Sequence, residues 1–172
     1  MNPNRDPHMT APNSPSTVPA GMEVLSSRIF KAPRPTVFDA FANPQHLPHW
    51  WGPKGFTNTF HEFDLRPGGA WRFTMHGPDG ATYNNVKRFI EVAPPERIVF
   101  EHLGPMHRFT MTMTYDDVPE GTKLTWRMAF DPHADNAKLR NFIVEANEQN
   151  FDRLQAFLEK QVKGEREGGK RE

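Results

Sequence analysis

The sequence predicts an α+β domain in which a curved antiparallel sheet of about seven strands is covered by one long C-terminal helix. Between Phe56 and Phe130, apolar residues recur at every second position, which is typical of strands with one buried face. From Ala134 to Val162 they recur instead every three or four positions, as on one face of an amphipathic helix. Short turn signals separate the strand-like segments, and this favours a meander topology.

The first elements are a strand and two short helices. The strand lies within residues 23–31, where the apolar residues are close together, and it stops at Pro33. Pro33 and Pro35 then begin a helix, because proline is best tolerated in the first helical turn. A second short helix is predicted over residues 45–50, and Gly52 and Pro53 end it.

Six further strands are expected between Phe56 and Phe130. The clearest one runs from Phe109 to Tyr115, where threonine alternates with large apolar residues. Residues 71–76 and 124–130 alternate in the same way, and turn signals occur at 66–69, 77–80, 94–95, 104–105 and 119–121. With the first strand, this gives a seven-stranded sheet.

Composition limits the function classes. Lys plus Arg (21) equals Asp plus Glu (21), so no overall field favours nucleic acid. No cysteine is present, which excludes thiolate metal sites and cysteine nucleophiles. No stretch is apolar enough for a membrane span or a secretory signal, so we expect a cytoplasmic protein.

The domain is expected to span residues 22–162. Residues 1–21 are rich in proline and small polar residues and predict a disordered tail. Residues 163–172 alternate in charge and contain three glycines, and they predict a second, charged tail.

Several motifs in this sequence resemble one known family. They are Asn43-Pro44-Gln45, Trp50-Trp51-Gly52-Pro53, residues 64–71 (DLRPGGAW), residues 76–80 (HGPDG), residues 90–98 (IEVAPPERI) and residues 151–154 (FDRL). In this order they are similar to the family of the activator of heat-shock-protein-90 ATPase, within the START-like, or SRPBCC, superfamily. The resemblance covers roughly Glu23 to Val162 and implies the helix-grip fold.

The resemblance also implies a function class. Members of the superfamily bind lipids, hormones and polyketides in a cavity between sheet and helix, and catalysis occurs only in some branches. The eukaryotic activator has an additional chaperone-binding domain, for which this sequence offers no candidate segment. Fold analogy alone does not assign a function.

A ligand cavity is expected on the apolar side of the strands. The residues on this side are Trp71, Phe73, Met75, Phe100, Phe109, Met111, Met113, Tyr115, Trp126 and Met128. The alternative is that they fill a closed core, since aromatic and methionine stripes are common in cores. The methionine content favours a cavity, because thioethers adapt to ligands of irregular shape.

Polar groups among these walls could orient a ligand. Tyr83, His102 and Tyr115 are candidates on the strands, although His102 could also lie at a solvated rim. On the last helix, Ile143 belongs to the apolar stripe, while Asn147 and Asn150 interrupt it. These two amides could contact a ligand, but pairing with a strand backbone is the favoured interpretation.

Trp50 and Trp51 could form a lid at the cavity entrance or pack as core. His46 and His49 are three residues apart, but two histidines without a visible third ligand do not predict a metal site.

The leading hypothesis is a binding protein for a small hydrophobic or aromatic molecule, without a cofactor and without a membrane span, and possibly a homodimer. One alternative is a cyclase-type or hydrolase-type enzyme, with Tyr83, His102 or Glu101 as acid or base. The other is a chaperone ATPase cofactor, which the missing second domain makes the least favoured.

Overall fold

Seven antiparallel strands form a single sheet in the computed structural model, which describes residues 21–132 and 137–169, with side chains through residue 164. The strands are β1 (Glu23–Phe30), β2 (Thr57–Phe63), β3 (Ala70–His76), β4 (Thr82–Ala93), β5 (Arg97–Gly104), β6 (Phe109–Val118) and β7 (Gly121–Phe130). Their order in the sheet is β1-β7-β6-β5-β4-β3-β2. The predicted meander is confirmed, and β1 joins its free edge beside β7.

Alternation along β6 sets which side chains face inward. Met111, Met113 and Tyr115 are buried, while the threonines between them are only partly so. In the register, Met113 lies opposite Ile98 of β5 and Trp126 of β7. A single buried face therefore runs across three neighbouring strands, as the period of two predicts.

The helices lie on that buried face. They are α1 (Arg34–Ala42), a short 3₁₀ helix (Leu47–His49) and α2 (Ala137–Gly169). Pro33 and Pro35 begin α1 as predicted. The helix buries Val37, Phe38 and Phe41 on the side that faces the sheet. The second short helix is only three residues long and contains Pro48, which has no backbone N–H to extend it.

Helix α2 is longer than expected. It continues through Gly169, seven residues past Val162, into the segment predicted to be a charged tail. Lys, Glu and Arg are good helix formers, and a helix that has begun adds residues at little cost. The expected N-terminal tail lies outside the described residues up to residue 20.

Packing against β1 and β7 fixes the position of α2. Phe151 is fully buried and contacts Phe30 edge-on, with ring centroids 5.9 Å apart. Arg28 of β1 makes ion pairs with Glu148 and Asp152 of α2, each at 2.8 Å. Among the described residues, no helix combines the length and the apolar composition that a membrane span requires.

Candidate functional site

Side chains fill the middle of the interface between the sheet and α2. The ring of Trp51 lies there, with its centroid 5.1 Å from that of Trp71 and 5.3 Å from that of Trp126. Phe41 of α1 packs against Trp71 at 5.3 Å, and Phe151 of α2 packs against Trp126 at 4.6 Å. Each of these five side chains is at most 7% exposed. This part of the interface is a packed core.

Seven of the residues expected to line a cavity belong to this core. Each is at most 2% exposed, and they are Trp71, Phe73, Phe100, Met111, Met113, Tyr115 and Trp126. Their inward orientation agrees with the predicted alternation. They nevertheless lie outside the cavity described below, because α1 and the segment after it supply the rings that occupy the space above them.

Trp50 and Trp51 are core residues in the structure, which was one of the two interpretations of this pair. Trp50 is 2% exposed and donates a hydrogen bond from Nε1 to the carbonyl of Ala40 at 2.9 Å. Trp51 is inserted between the sheet and α2. Neither residue is among the described residues that line the cavity described below.

A cavity of ≈ 340 Å³ lies at one end of the interface, beneath the first turns of α2. The described residues that line it come from the loop before β2, from the five strands β3 to β7, from the loop between β5 and β6, and from α2. Six were expected from the sequence: Met75, Tyr83, His102, Phe109, Met128 and Ile143. Nine were not: Pro53, Phe56, Asn85, Pro105, Met106, His107, Phe130, Leu139 and Phe142.

Apolar side chains mark the mouth of this cavity. Met106 is 78% exposed and Phe142 is 68% exposed, and both line it. Met106 has a φ of 68°, a left-handed conformation that is uncommon for a residue other than glycine. Two large apolar residues held in solvent beside an apolar cavity are typical of a binding entrance.

Asn147 and Asn150 make hydrogen bonds within the protein, but their partners are a strand side chain and a loop backbone rather than the strand backbone that was favoured. Asn147 donates to Ser26 Oγ at 3.0 Å. Asn150 accepts from the Gly52 N–H at 3.1 Å and donates to the Trp50 carbonyl at 2.8 Å. Both amides therefore have hydrogen-bond partners without a ligand. Neither is among the described residues that line the cavity.

His102 is 6% exposed and lies in the cavity wall. Its Nε2 donates to the Pro105 carbonyl at 2.7 Å, because a carbonyl can only accept. Its Nδ1 then accepts a hydrogen bond from Lys87 Nζ at 2.9 Å. Burial first, and then the charge of Lys87, lower the pKa of His102 to about 3. The imidazole is therefore neutral at physiological pH.

Lys87 lies behind His102 and is only 4% exposed. Four aromatic rings surround its Nζ, which is 5.2 Å from the ring centroid of Phe100 and 5.4 Å from that of Phe109. The other two rings belong to Trp71 and Phe73, at 5.6 and 5.7 Å. Burial lowers the pKa of Lys87 to about 7, so the amine is close to half protonated at neutral pH.

Sequence reasoning missed Lys87 and Asn85, although a signal for both exists. They share the parity of Tyr83 and Phe89 on β4, all of which face inward. The outward positions of the same strand include Val86 and Ile90, at 39% and 45% exposure. On β4, polar residues therefore face inward and apolar residues face outward, which is the reverse of the usual pattern. An assignment of the buried face from residue type alone gives the wrong answer for this strand.

The three acid–base candidates do not share one site. Tyr83 and His102 line the cavity, but Glu101 lies on the outer face of the sheet, where it pairs with Arg88 at 3.0 Å. His46 pairs with Asp39 at 3.3 Å. Within the described part of the chain, no three His, Cys, Asp or Glu residues are grouped as a metal site would require.

Comparisons with known proteins agree with this architecture. The family model "Activator of Hsp90 ATPase homolog 1-like protein" matches residues 31–159. Among solved structures, a Chromobacterium violaceum protein is 26% identical and has a TM-score of 0.70, with 80% of this chain and 96% of that chain covered. A Rhodobacter sphaeroides protein is also 26% identical, with a TM-score of 0.71 and coverage of 80% and 93%.

The AHSA1 protein from Silicibacter pomeroyi is 18% identical, with a TM-score of 0.70 and coverage of 81% of this chain and 99% of that chain. At this identity the likeness concerns the fold alone. A search of curated proteins found no match.

Proposed function

Because this chain belongs to the family of Activator of Hsp90 ATPase homolog 1-like proteins, a helix-grip family, we propose that it binds a small hydrophobic or aromatic molecule in the cavity beneath the first turns of α2. The family sets the fold, and the proposal depends on the cavity itself.

One observation supports the proposal most directly, namely the apolar character of the cavity wall. Of the fifteen described residues that line the cavity, eleven are apolar. Its ≈ 340 Å³ lies within the range of about 300–1,000 Å³ that is usual for small-molecule sites. Transfer of an apolar ligand from water into such a site is favourable by about 25 cal/mol per Å² of buried surface, before ordering costs.

The remaining lining residues supply a few polar groups for orientation. They are Tyr83, Asn85, His102 and His107. Asn85 donates its side-chain N–H to the Tyr83 carbonyl at 3.2 Å, which leaves its side-chain oxygen for a ligand donor. A mainly apolar wall with a few fixed polar groups is the usual composition of a ligand site.

Titration with N-phenylnaphthylamine, a neutral dye that fluoresces in apolar surroundings, tests the proposal. Ile143 lines the cavity and is 8% exposed, whereas its neighbour Val144 is 41% exposed and does not line it. Ile143→Trp fills part of the cavity, so we expect dye affinity to fall by at least about tenfold, the equivalent of roughly 1.4 kcal/mol.

Val144→Trp is the matched control, because it places the same indole on the same helix facing solvent. We expect it to bind the dye like the wild type. Failure of the wild type to bind the dye, or equal losses in both variants, would contradict binding in this cavity. Circular dichroism of both variants establishes that the fold is retained.

A further inference from the structure

A buried cation without a carboxylate partner lies beside the cavity. Lys87 makes no ion pair with any acidic residue of the described chain, and its one hydrogen bond joins Nζ to His102 Nδ1. Buried ammonium groups are ordinarily paired, because desolvating a charge is expensive. The four surrounding rings offer their electron-rich faces to the cation but no full negative charge.

The cavity is also free of negative charge on its described walls. None of the fifteen described lining residues is acidic. Two side chains separate Nζ from the cavity, namely His102 and Phe109, whose rings stack at a centroid distance of 4.8 Å. A group bound against the cavity side of His102 is therefore separated from the ammonium by one imidazole ring.

On the basis of the proposed function, we infer that the bound molecule is an apolar acid, whose carboxylate lies against His102 and is held by the charge of Lys87. Its alkyl or aryl body then extends along Met75, Met128 and Ile143 towards the mouth at Phe142. In this low-dielectric wall, the attraction between carboxylate and ammonium is much stronger than it is in water.

The pH dependence of binding follows from the same arrangement. The side chains that face Nζ come from β3 (Trp71 and Phe73), β5 (Phe100 and His102) and β6 (Phe109), and His102 is the titratable one among them. The cavity wall adds Tyr83 and His107.

Below pH 7, Lys87 is already protonated and the carboxylate meets a cation. Above pH 7, Lys87 of the free protein loses its proton. Lys87 must then take up a proton again when the carboxylate binds, and this uptake becomes less favourable as the pH rises. Affinity for an acid therefore falls as pH rises above 7, whereas affinity for an uncharged ligand does not.

Displacement of N-phenylnaphthylamine by dodecanoate and by dodecanol, which share an alkyl chain, tests the inference. At about pH 6.5 we expect the wild type to bind dodecanoate at least roughly tenfold more tightly than dodecanol. At about pH 9 the preference shrinks, because the free amine is then neutral.

Lys87→Met removes the cation and retains most of the chain length, so we expect the preference to disappear while dodecanol affinity is unchanged. Lys123→Met, at an exposed position on β7, is the matched control and retains the preference.

Equal affinities of the wild type for acid and alcohol, or a preference that survives Lys87→Met, overturn the inference and leave the proposed function standing. If neither the dye nor either competitor binds, the proposed function fails and the inference fails with it. The comparison of about pH 6.5 with about pH 9 uses the wild type alone, so it tests the inference even if Lys87→Met does not fold.

Discussion

Four aromatic rings and one imidazole surround the amine of Lys87, so every proton on this amine is held away from water. In the unfolded chain the same amine has its usual pKa of 10.5, whereas burial lowers the pKa to about 7 in the folded protein. Between these values the unfolded state binds more protons, and stability rises with pH. Below pH 7 both states are protonated, and the full cost of burying the charge is present.

Replacement of this one side chain is expected to change the pH profile of stability. In the wild type, the free energy of unfolding relative to Lys87→Met should increase by on the order of 4 kcal/mol between about pH 7 and pH 10. Urea unfolding at a series of pH values measures this difference, in which the titration of groups remote from Lys87 cancels. Lys123→Met should show no such trend relative to the wild type, and a flat difference for Lys87→Met would contradict the burial of a chargeable amine.

At this scale the sequence carries only part of the information. Alternation correctly orients Met111, Met113 and Tyr115, because a threonine precedes each of them. It does not reveal Lys87, because a lysine at an inward position is rare and the apolar Val86 and Ile90 point outward on the same strand. The register with β5 shifts between Val86 and Lys87 and again between Phe89 and Glu91, and such irregularities are not visible in an alternation pattern.

At the scale of elements, α2 organises the loop before β2. Arg153 donates to the carbonyls of Trp51, Gly52 and Pro53 at 3.0–3.1 Å. Asn150 bonds the same loop in both directions and is 5% exposed. The helix thus positions the turn that carries Trp51 into the core and Pro53 to the cavity. The sequence showed two amides in the apolar stripe, but the partner loop is about 100 residues away and could not be identified.

Truncation of Asn150 tests this connection. Asn150→Ala leaves the Gly52 N–H and the Trp50 carbonyl without their partner in a buried position, and we expect a loss of roughly 2–4 kcal/mol in the free energy of unfolding. Lys160→Ala, at an exposed position of the same helix, should change it by less than about 0.5 kcal/mol. If Asn150→Ala lowers the free energy of unfolding by less than about 0.5 kcal/mol, other contacts hold the loop in place.

At the scale of the whole molecule, the interface between sheet and helix is filled in its middle and open at one end. The sequence predicts the sheet, its order and the long helix, because these follow from local periods and short turns. It does not predict which of the inward-facing strand residues are covered by side chains of α1 and of the segment after it, and which line a cavity. Trp51 and Phe41 decide this by entering between the sheet and α2, so the expected cavity is confined to the region around Met75, Met128 and Ile143.

A bound molecule should occupy the open end of the interface and leave the packed middle undisturbed. Methionine methyl resonances report on both regions, because Met75, Met106 and Met128 line the cavity whereas Met22 and Met113 are buried in the core. On addition of N-phenylnaphthylamine to protein labelled at the methionine methyl groups, the account predicts large ring-current shifts for the three cavity methionines and unchanged resonances for the two core methionines. Unshifted cavity methionines, or shifts centred on Met22 and Met113, would contradict it.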